Sequence, residues 1–462
     1  MKRIQVVTMG CSKNRVDSEH LMHILQQRGY ELVPEGADLA TAKVDEVVIN
    51  TCGFIQDAKE ESIAAILEAA QAKQEGLISK LSVFGCLSQR YRKELPGEIP
   101  EVDEWNGVLT FDTLGRVLTT PKHFAYLKIA EGCDRSCSYC AIPMIRGPHR
   151  SVPMEQLVAE ARQLAEQGVK ELIVIAQDTT YYGLDLYGKR RLGELLTQLA
   201  AIDGIEWIRL HYSYPAGFPE DVLRVMADNP KICPYIDIPL QHSADKVLGL
   251  MRRGVDGRQT RELVARMRQL VPGVVLRTTL IVGHPGEGEA EFADLLDFVE
   301  SCRFERLGAF TYSEEEGTYG ALHYKDDIPQ EVKQERYDRL MEVQSGISLA
   351  YNQSRVGRRE RVLVDSYSDG VLVCRSQTES PEVDGEILVN PASPLRDKPV
   401  SPASPLRDKP VSPASPLRDK ASLAEKCSFD LIPSALAPEL LIGHFIDVDI
   451  VGANEYDLIA DF

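Results

Sequence analysis

The sequence predicts an α/β protein of three parts: a parallel-sheet domain over residues 1–115, a partial (β/α)6 barrel over 120–350 and a small antiparallel β-barrel over 356–462. Three observations predict this. Short apolar runs alternate with longer amphipathic runs through the first two parts, which is typical of parallel sheets. Six such units follow one another in the second part. In the third part, short alternating runs follow one another without helices.

The first part reads as βαβαβ. The runs RIQVVTMG, VDEVVIN and KLSVFG predict strands, whereas DSEHLMHILQQRG and AKEESIAAILEAAQAKQEG predict helices. Strands that alternate with helices pair in parallel, so we expect a flavodoxin-like sheet.

The second part contains six apolar runs, each followed by a helical run such as MEQLVAEARQLAEQG. These runs are YLKIAEG, ELIVIAQD, IEWIRLHY, YIDIPLQ, VVLRTTLIVG and RLGAFTY. Six βα units predict an incomplete barrel, and barrels of this kind carry their active sites at the carboxyl ends of the strands.

The third part carries short strand-like runs, RVLVDSYSDGVLVCRSQ and FIDVDIVGANEYDLIADF, and an internal repeat between them. The repeat PASPLRDKPVS occupies 391–401 and 402–412 and then decays. Its prolines are too frequent for a helix or a central strand. We therefore expect a solvated, disordered insertion over about 391–422, between strands of the small barrel.

Composition restricts the class of protein. The net charge is −18, which is unusual for a protein that coats nucleic acid and favours basic partners. No apolar run reaches the roughly 18–20 residues needed to cross a bilayer, so we expect a cytoplasmic protein without a membrane partner. In that compartment the ten cysteines are expected to be thiols or metal ligands.

Three cysteines of the first part each follow a predicted strand. Cys11 comes after IQVV, Cys52 after VVIN and Cys86 after LSVF. Because the carboxyl ends of parallel strands share one edge of the sheet, these thiols are predicted to converge there. Small or polar neighbours favour a metal site over three unrelated buried thiols.

A second set of thiols, Cys133, Cys137 and Cys140, follows the first barrel strand with the spacing C-x3-C-x2-C. A structural zinc site would need a fourth ligand, for which His149 is the nearest candidate. A 4Fe–4S cluster instead uses three thiolates and leaves one iron open for a substrate or cofactor. A 4Fe–4S cluster therefore explains better than a zinc site why this set contains only three cysteines.

The sequence CDRSCSYC, with Tyr139 before its last cysteine, resembles the motif of radical S-adenosylmethionine (SAM) enzymes. The combination with three upstream cysteines and a small C-terminal barrel, which is similar to a TRAM domain, resembles the methylthiotransferase subfamily. The supporting motifs are GCSKNRVDSE, NTCGFI, EGCDRSCSYCAIPMIRGPHRS, QDTTYYG, YSYP, PLQHSADKVL and RTTLIVGHPGE. Of these, QDTTYYG, YSYP and the Glu131 position look like the branch that modifies a ribosomal protein.

The resemblance implies two 4Fe–4S clusters, two SAM molecules per turnover and an aspartate of the twelfth small-subunit ribosomal protein as substrate. One SAM would methylate a sulfur at the Cys11/Cys52/Cys86 cluster. The other would give a 5′-deoxyadenosyl radical at the second cluster. We regard the ligands of that cluster, Cys133, Cys137 and Cys140, as catalytic. The radical would take the β-hydrogen of the aspartate before the methylthio group is added. A reductant such as flavodoxin or ferredoxin is also implied.

Further cofactor-binding residues are expected near the barrel mouth. Glu171 resembles the family position that contacts the SAM amine, although a solvated charge at a strand entrance is the alternative. Gln177 and Asp178 end the second strand, Arg209 lies in the third strand and Arg277 in the fifth.

Other polar residues have simpler interpretations. Gln241 and His242 suit a structural hydrogen-bonding role as well as a functional one, and Tyr181 and Tyr182 suit packing. The remaining cysteines lack partners at ligand spacing and are expected to be ordinary thiols: Cys233, Cys302, Cys374 and Cys427.

Charge separates the possible substrates. From Arg359 to Phe462 the chain has ten Lys or Arg and eighteen Asp or Glu, a net charge of −8. Such a surface repels phosphates and attracts a basic ribosomal protein, so tRNA is disfavoured. Two alternatives stay open: a methylthiotransferase of a modified tRNA adenosine, and a metal-binding module without catalytic activity.

Overall fold

The computed structural model describes residues 1–111, 113–391 and 438–462. These form two compact units, one of Met1–Cys302 with Leu307–Met341 and the other of Arg303–Arg306 with Glu342–Phe462. The described residues of 1–115 and most of 120–350 lie in the first unit, whereas 303–306, 342–350 and the predicted small barrel lie in the second. The predicted insertion at 391–422, apart from Pro391, and Cys427 lie outside the described residues.

The N-terminal sheet has five strands in the order β2-β1-β3-β4-β5, and its neighbours pair in parallel. This is the flavodoxin order, so the predicted fold is confirmed. The strands are β1 Arg3–Thr8, β2 Glu31–Val33, β3 Glu46–Thr51, β4 Lys80–Gly85 and β5 Glu104–Trp105. The sequence did not predict β2 and β5 because three and two residues are too few to show alternation.

Four helices accompany this sheet: α1 Ser12–Gln27, α2 Gln56–Gln74, α3 Cys86–Arg90 and α4 Leu95–Glu98. Ile66 of α2 packs on Val47, Ile49 and Leu81 of the sheet to form one core. Helix α1 is unusual because a group of polar side chains on it is buried, namely Lys13, Asn14, Asp17, Ser18, Glu19 and His20.

The central sheet has the order β13-β12-β11-β10-β9-β6, which follows the chain and leaves the barrel open. The predicted partial (β/α)6 barrel is therefore confirmed. The strands of this region are β6 Phe124–Lys128, β7 Ala130–Glu131, β8 Arg150–Ser151, β9 Glu171–Ile175, β10 Trp207–Leu210, β11 Ile232–Asp237, β12 Val275–Val282 and β13 Arg306–Thr311. Strands β7 and β8 pair only with each other and lie outside the barrel sheet.

Ten helices accompany the central sheet or follow it. They are α5 Ile142–Arg146, α6 Met154–Glu166, α7 Leu184–Tyr187, α8 Leu192–Ala200, α9 Glu220–Asp228, α10 Asp245–Leu250, α11 Gly257–Leu270, α12 Glu289–Cys302, α13 Tyr319–His323 and α14 Gln330–Gln353. No helix among the described residues is both long and apolar enough to span a bilayer.

The second unit contains a closed five-stranded barrel in the order β14-β15-β16-β18-β17. Its strands are β14 Arg359–Ser368, β15 Val371–Arg375, β16 Ile387–Asn390, β17 Phe445–Ala453 and β18 Leu458–Asp461. The expected antiparallel pairing holds except between β16 and β18, which are parallel. An odd number of strands cannot alternate direction all the way round a closed ring, so one parallel pair is required.

A buried carboxylate stabilises this second unit. Glu379 accepts hydrogen bonds from Arg355, from Arg306 at 3.0 Å and from the Ser376 hydroxyl at 2.7 Å. Burial would raise the pKa of Glu379, but the charges of Arg355 and Arg306 outweigh it and hold the pKa well below its usual value.

Replacement of Glu379 by Gln is expected to destabilise the barrel by about 3 kcal/mol at neutral pH, because two buried guanidinium groups lose their anion. The lowered pKa means that this stabilisation is present above the usual carboxylate pKa of 4.5 and is lost as the pH falls below it. Hydrogen exchange of β14 and β15 measures the effect. Asp447→Asn, at an exposed site on β17, is the control. Equal exchange in the two variants at neutral pH would contradict the assigned role of Glu379.

Candidate iron–sulfur site at the mouth of the barrel

The three N-terminal thiols lie at one edge of their sheet. Cys11 follows β1, Cys52 follows β3, and Cys86 is the first residue of α3 directly after β4. Burial raises the pKa of Cys52 to about 12, and the charges of Cys11 and Cys86 contribute to the shift. The three thiols are therefore close enough to interact, as the strand order requires.

Two glycines allow these loops to approach each other. Gly10 has a φ of +88°, and a Cβ added there would lie 2.6 Å from Cys52 Cβ and 2.9 Å from Cys52 Sγ. Gly85 has a φ of +104°, and its added Cβ would lie 2.6 Å from the Thr51 carbonyl oxygen. Only glycine combines a positive φ with such a close approach. The bare backbone thus leaves a cradle lined by thiols, which fits a compact iron–sulfur cluster.

The second set of thiols lies on the loop between β7 and α5, beyond the carboxyl end of β6. The Cys133 N–H donates to Gly147 O at 3.1 Å, and the Cys140 N–H donates to Cys137 O at 3.2 Å. Burial raises the pKa of Cys133 to about 11, and it also raises the pKa of Cys140, with a contribution from Cys137. Without a bound metal ion Cys133 and Cys140 stay protonated at neutral pH, so loading of a cluster must release protons.

Two aromatic residues and a cation surround Cys137. Arg253 donates to Cys137 Sγ at 3.3 Å and to the Tyr139 hydroxyl at 3.2 Å. The Tyr214 hydroxyl donates to Arg253 O at 2.8 Å, and the Tyr214 ring lies 4.3 Å from the Arg253 guanidinium carbon. A guanidinium that donates to the sulfur stabilises the thiolate, which is the form that binds metal.

Arg146, the last residue of α5, connects the two thiol sets. Its Nε donates to Cys86 Sγ at 3.2 Å, and its Nη2 donates to Asn14 Oδ1 at 2.6 Å. Its Nη1 lies 2.8 Å from both carboxylate oxygens of Glu131, which stands two residues before Cys133. One buried guanidinium therefore bridges the N-terminal sheet and the loop that carries the second set.

A chain of charges continues from Arg146. Glu131 also binds Lys128 of β6 at 2.9 Å, and Lys128 pairs with Asp17 of α1. Burial would raise the pKa of Glu131, but the charges of Lys128 and Arg146 outweigh it and lower the pKa below its usual value. These groups stay ionised and hold α1 against the barrel.

The sequence had not singled out Arg146, Lys13 or Arg253. All three lie inside or close to quoted motifs, but their spacing alone does not reveal which thiol they contact. A basic residue within a few positions of a cysteine at a strand end is the signal that would have indicated Lys13 and, more weakly, Arg146.

Among the described residues, no three His, Cys, Asp or Glu side chains are placed to hold one metal ion between them. A 4Fe–4S cluster does not require such convergence because each thiolate binds its own iron. His149, the expected fourth ligand of a zinc site, lies instead 3.1 Å from the Ser151 hydroxyl and 3.9 Å from Asp185.

The structure does not bring Glu171 and Arg209 to the thiols. Glu171 is the first residue of β9 and therefore lies at the opposite end of the strand from the mouth. It accepts a hydrogen bond from Arg209 Nε at 2.9 Å, and both side chains are fully buried. Glu171 is thus not a solvated charge, and the expected SAM contact is not supported because this carboxylate is committed to a pair inside the barrel.

Gln177 and Asp178 do lie past the carboxyl end of β9, whereas Arg277 is the third residue of β12. Gln177 donates to Glu131 at 2.7 Å, and its buried Oε1 has no hydrogen-bond partner among the described residues. Asp178 accepts a hydrogen bond from Arg135 Nε at 2.7 Å. Arg277 pairs with Asp237, the last residue of β11, at 2.8 Å.

The remaining predicted residues have structural partners. His242 Nε2 lies 3.2 Å from Glu287, which in turn binds Arg336. Tyr182 donates to Val152 O at 2.9 Å, and the Tyr181 ring lies 4.9 Å from the ring of His149. Gln241 has a φ of 75° and forms a bridge to Leu280. The three other described cysteines form no disulfide with any described residue, namely Cys233, Cys302 and Cys374.

Three family models match the chain. The Radical SAM superfamily matches residues 127–299, the uncharacterized protein family UPF0004 matches 3–107, and the TRAM domain matches 356–398. The matches follow the three parts that the sequence predicted.

Relatives of similar length share about half of their residues with this chain. Ribosomal protein uS12 methylthiotransferase RimO from Bacteroides fragilis is 53% identical over 404 residues, which cover 84% of this chain and 92% of the relative. The protein of the same name from Porphyromonas gingivalis is 53% identical over 401 residues, with the same coverage.

A more distant likeness is found among solved structures. The radical SAM methyltransferase TsrM from Kitasatospora setae, with cobalamin and a 4Fe–4S cluster bound, superposes with a TM-score of 0.51 at 14% identity. The match covers 70% of this chain and 77% of TsrM. At this identity the likeness supports the fold alone.

Removal of the Arg146 guanidinium is expected to destabilise the first unit even without metal. In an Arg146→Met variant, Asp17 and Glu131 lose one of their two described cationic partners and keep Lys128, and such a loss inside a protein costs about 3–5 kcal/mol. Urea unfolding of the metal-free protein, followed by the fluorescence of Trp105 and Trp207, measures the loss.

Arg224→Met is the matched control for this measurement. Its side chain is 69% exposed and pairs with Glu220, and such surface pairs contribute about 0–1 kcal/mol. If both variants unfold at the same urea concentration, the buried network does not hold the unit together.

Proposed function

The chain belongs to the RimO family of radical SAM methylthiotransferases, and on that basis we propose that it adds a methylthio group to the β-carbon of an aspartate in ribosomal protein uS12. The observation that carries this proposal is the arrangement of two sets of three cysteines, one beyond each sheet of one compact unit, with Arg146 between them. A module that only bound metal would not need two such sets with a shared cation.

We infer that Cys11, Cys52 and Cys86 hold one 4Fe–4S cluster, and that a second set of ligands holds another together with SAM. The second set consists of Cys133, Cys137 and Cys140. When bound, a reduced cluster with SAM supplies a carbon radical, which removes a hydrogen that no protein base is strong enough to take. A small reductant such as flavodoxin or ferredoxin would provide the electron.

The side chains of this protein would then orient the cluster and the cofactor and stabilise the thiolate ligands. Arg146 would fix the Cys86 thiolate, and Arg253 would fix the Cys137 thiolate, since each donates to the sulfur. The partnerless Oε1 of Gln177 offers an acceptor to a bound cofactor at the mouth. Tyr139 and Arg277 remain candidate cofactor contacts, whereas the Glu171–Arg209 pair would serve to keep the barrel in shape.

Charge supports a protein substrate. The chain carries a net charge of −18, and the net charge of the C-terminal part changes from −8 to −11 when residues 391–420 are left out. An acidic surface attracts a basic ribosomal protein in the cytoplasm and repels the phosphates of RNA.

A product assay tests the proposal directly. The protein is reconstituted anaerobically with iron and sulfide, supplied with SAM and a reductant, and offered uS12 and bulk tRNA. We expect mass spectrometry to find a methylthio gain on one aspartate of uS12. A gain on a tRNA adenosine instead would assign the enzyme to the tRNA branch, and a gain on neither would contradict a transferase.

Cysteine variants separate the two sets of thiols. We expect Cys133→Ala to abolish the formation of 5′-deoxyadenosine, because the proposed SAM-binding cluster loses a ligand. Cys86→Ala is expected to stop the methylthio gain while 5′-deoxyadenosine still forms. Both products are quantified by liquid chromatography and mass spectrometry.

Cys302→Ala serves as the control, because this thiol ends α12 away from both sets and should leave both products unchanged. Undiminished cleavage of SAM by Cys133→Ala would contradict the assignment of the second set.

A further inference from the structure

Lys13 is a buried cation that forms no ion pair with the groups around Arg146. Burial would raise the pKa of the nearby Cys11 thiol, but the charges of Lys13 and Arg146 contribute to lowering it. Lys13 lies in the first turn of α1, two residues after Cys11, and its exposed fraction is only 8%. Lysine is rarely buried without a partner because an ammonium loses its hydration there. Its position therefore requires an explanation.

Among the described residues, this ammonium contacts an aromatic ring. Lys13 Nζ lies 3.1 Å from the centroid of the Tyr212 ring. Among the described residues, no oxygen lies within hydrogen-bond distance of Nζ, so its three donors are directed at no protein acceptor. A cation–π contact contributes about 0.5–2 kcal/mol, which offsets only part of the cost of burying an ammonium.

Tyr212 places this cation at the mouth of the barrel. It follows the carboxyl end of β10, and its N–H donates to Asp237 Oδ2 at 3.0 Å, at the end of β11. From the other side, Val16 of α1 packs in one cluster with Tyr126 and Ile173 of the barrel strands. Both ends of the contact are thus rigidly held, and the ammonium lies between Cys11 and the barrel.

The other cations around the two thiol sets are each committed to a protein acceptor. These are Lys128, Arg135, Arg146, Arg253 and Arg277. Lys13 therefore differs from its basic neighbours in having no hydrogen-bonded or ion-paired acceptor among the described residues.

We propose that Lys13 binds the side-chain carboxylate of the target aspartate. The inference rests on the proposed function and names how that site selects its substrate. The carboxyl carbon of an aspartate is bonded to the β-carbon, so a fixed carboxylate fixes the C–H bond that must react. Held by Lys13, that carbon would lie near the contact of Lys13 with Tyr212, at the mouth of the barrel.

A charged pair of this kind predicts discrimination between aspartate and asparagine. A hydrogen bond to a charged group in a buried site contributes about 1.5–3 kcal/mol, which corresponds to roughly 10–100-fold in affinity. Asparagine has the same shape but no charge, so it isolates the contribution of the ammonium.

The test compares uS12 with a variant in which the modified aspartate is replaced by Asn. Dissociation constants for both are measured by fluorescence anisotropy on the reconstituted, SAM-loaded enzyme without reductant, so that no turnover occurs. We expect the unmodified enzyme to bind the Asp form roughly 10–100-fold tighter than the Asn form. Lys13→Met should bind both forms alike, and Lys13→Arg should restore much of the preference.

A merely structural role for Lys13 gives a different result, because a distorted site weakens both forms equally and leaves their ratio unchanged. An unchanged ratio in Lys13→Met would therefore overturn the inference. The iron content of each variant is measured first, and Lys13→Gln, which keeps a polar side chain, replaces Lys13→Met if the latter loses its iron.

The product assay distinguishes this failure from failure of the proposed function. If the unmodified enzyme adds no methylthio group to uS12, the proposed function is wrong and the inference falls with it. If it modifies the aspartate and Lys13→Met keeps the Asp preference, only the assignment of Lys13 is wrong.

Discussion

The contact between Arg146 and its four partners is the constraint on which the rest of the first unit depends. A guanidinium cannot lose its charge at any pH that the protein meets, so it must be surrounded by acceptors when it is buried. Here the acceptors come from α1, from β7 and from the thiol of Cys86. The position of one thiol set relative to the other is therefore determined by the hydrogen-bonding geometry of a single planar group.

The same constraint explains the unusual composition of α1. A helix between two domains would normally bury an apolar stripe, yet this helix buries Asn14, Asp17 and Glu19. Asp17 pairs with Lys128, and Glu19 pairs with Arg116, which also binds Glu160 of α6 at 2.9 Å. Ion pairs specify orientation more strictly than apolar contacts do, which suits a helix that must hold Cys11 and Lys13 at fixed positions.

The fold and the six cysteines were predictable because they follow from local rules. The carboxyl ends of parallel strands meet at one edge, so the placement of Cys11, Cys52 and Cys86 needed only the strand order. Partners in three dimensions were not predictable in the same way. Nothing in the spacing of the chain indicates that Glu171, which was expected at the start of its strand, meets Arg209, which was expected to face the mouth.

Arg146 was missed for the same reason, since its contact with Cys86 joins residues sixty positions apart. The parallel pair in the C-terminal barrel was missed because it follows from the number of strands in the closed ring, and β16 and β18 lie far apart in the sequence. Sequence patterns thus predicted at which strand ends the two sets of cysteines lie, whereas the charges that surround them became evident only from packing.

The most direct test of this arrangement is electron paramagnetic resonance of the reconstituted, reduced enzyme. If the two thiol sets hold clusters on either side of one guanidinium, the spins of the reduced clusters lie close enough to interact. We expect the wild-type spectrum to be broader than the sum of the spectra of two triple variants, one without each set of cysteines. A wild-type spectrum equal to that sum would mean that the two clusters do not face a common mouth.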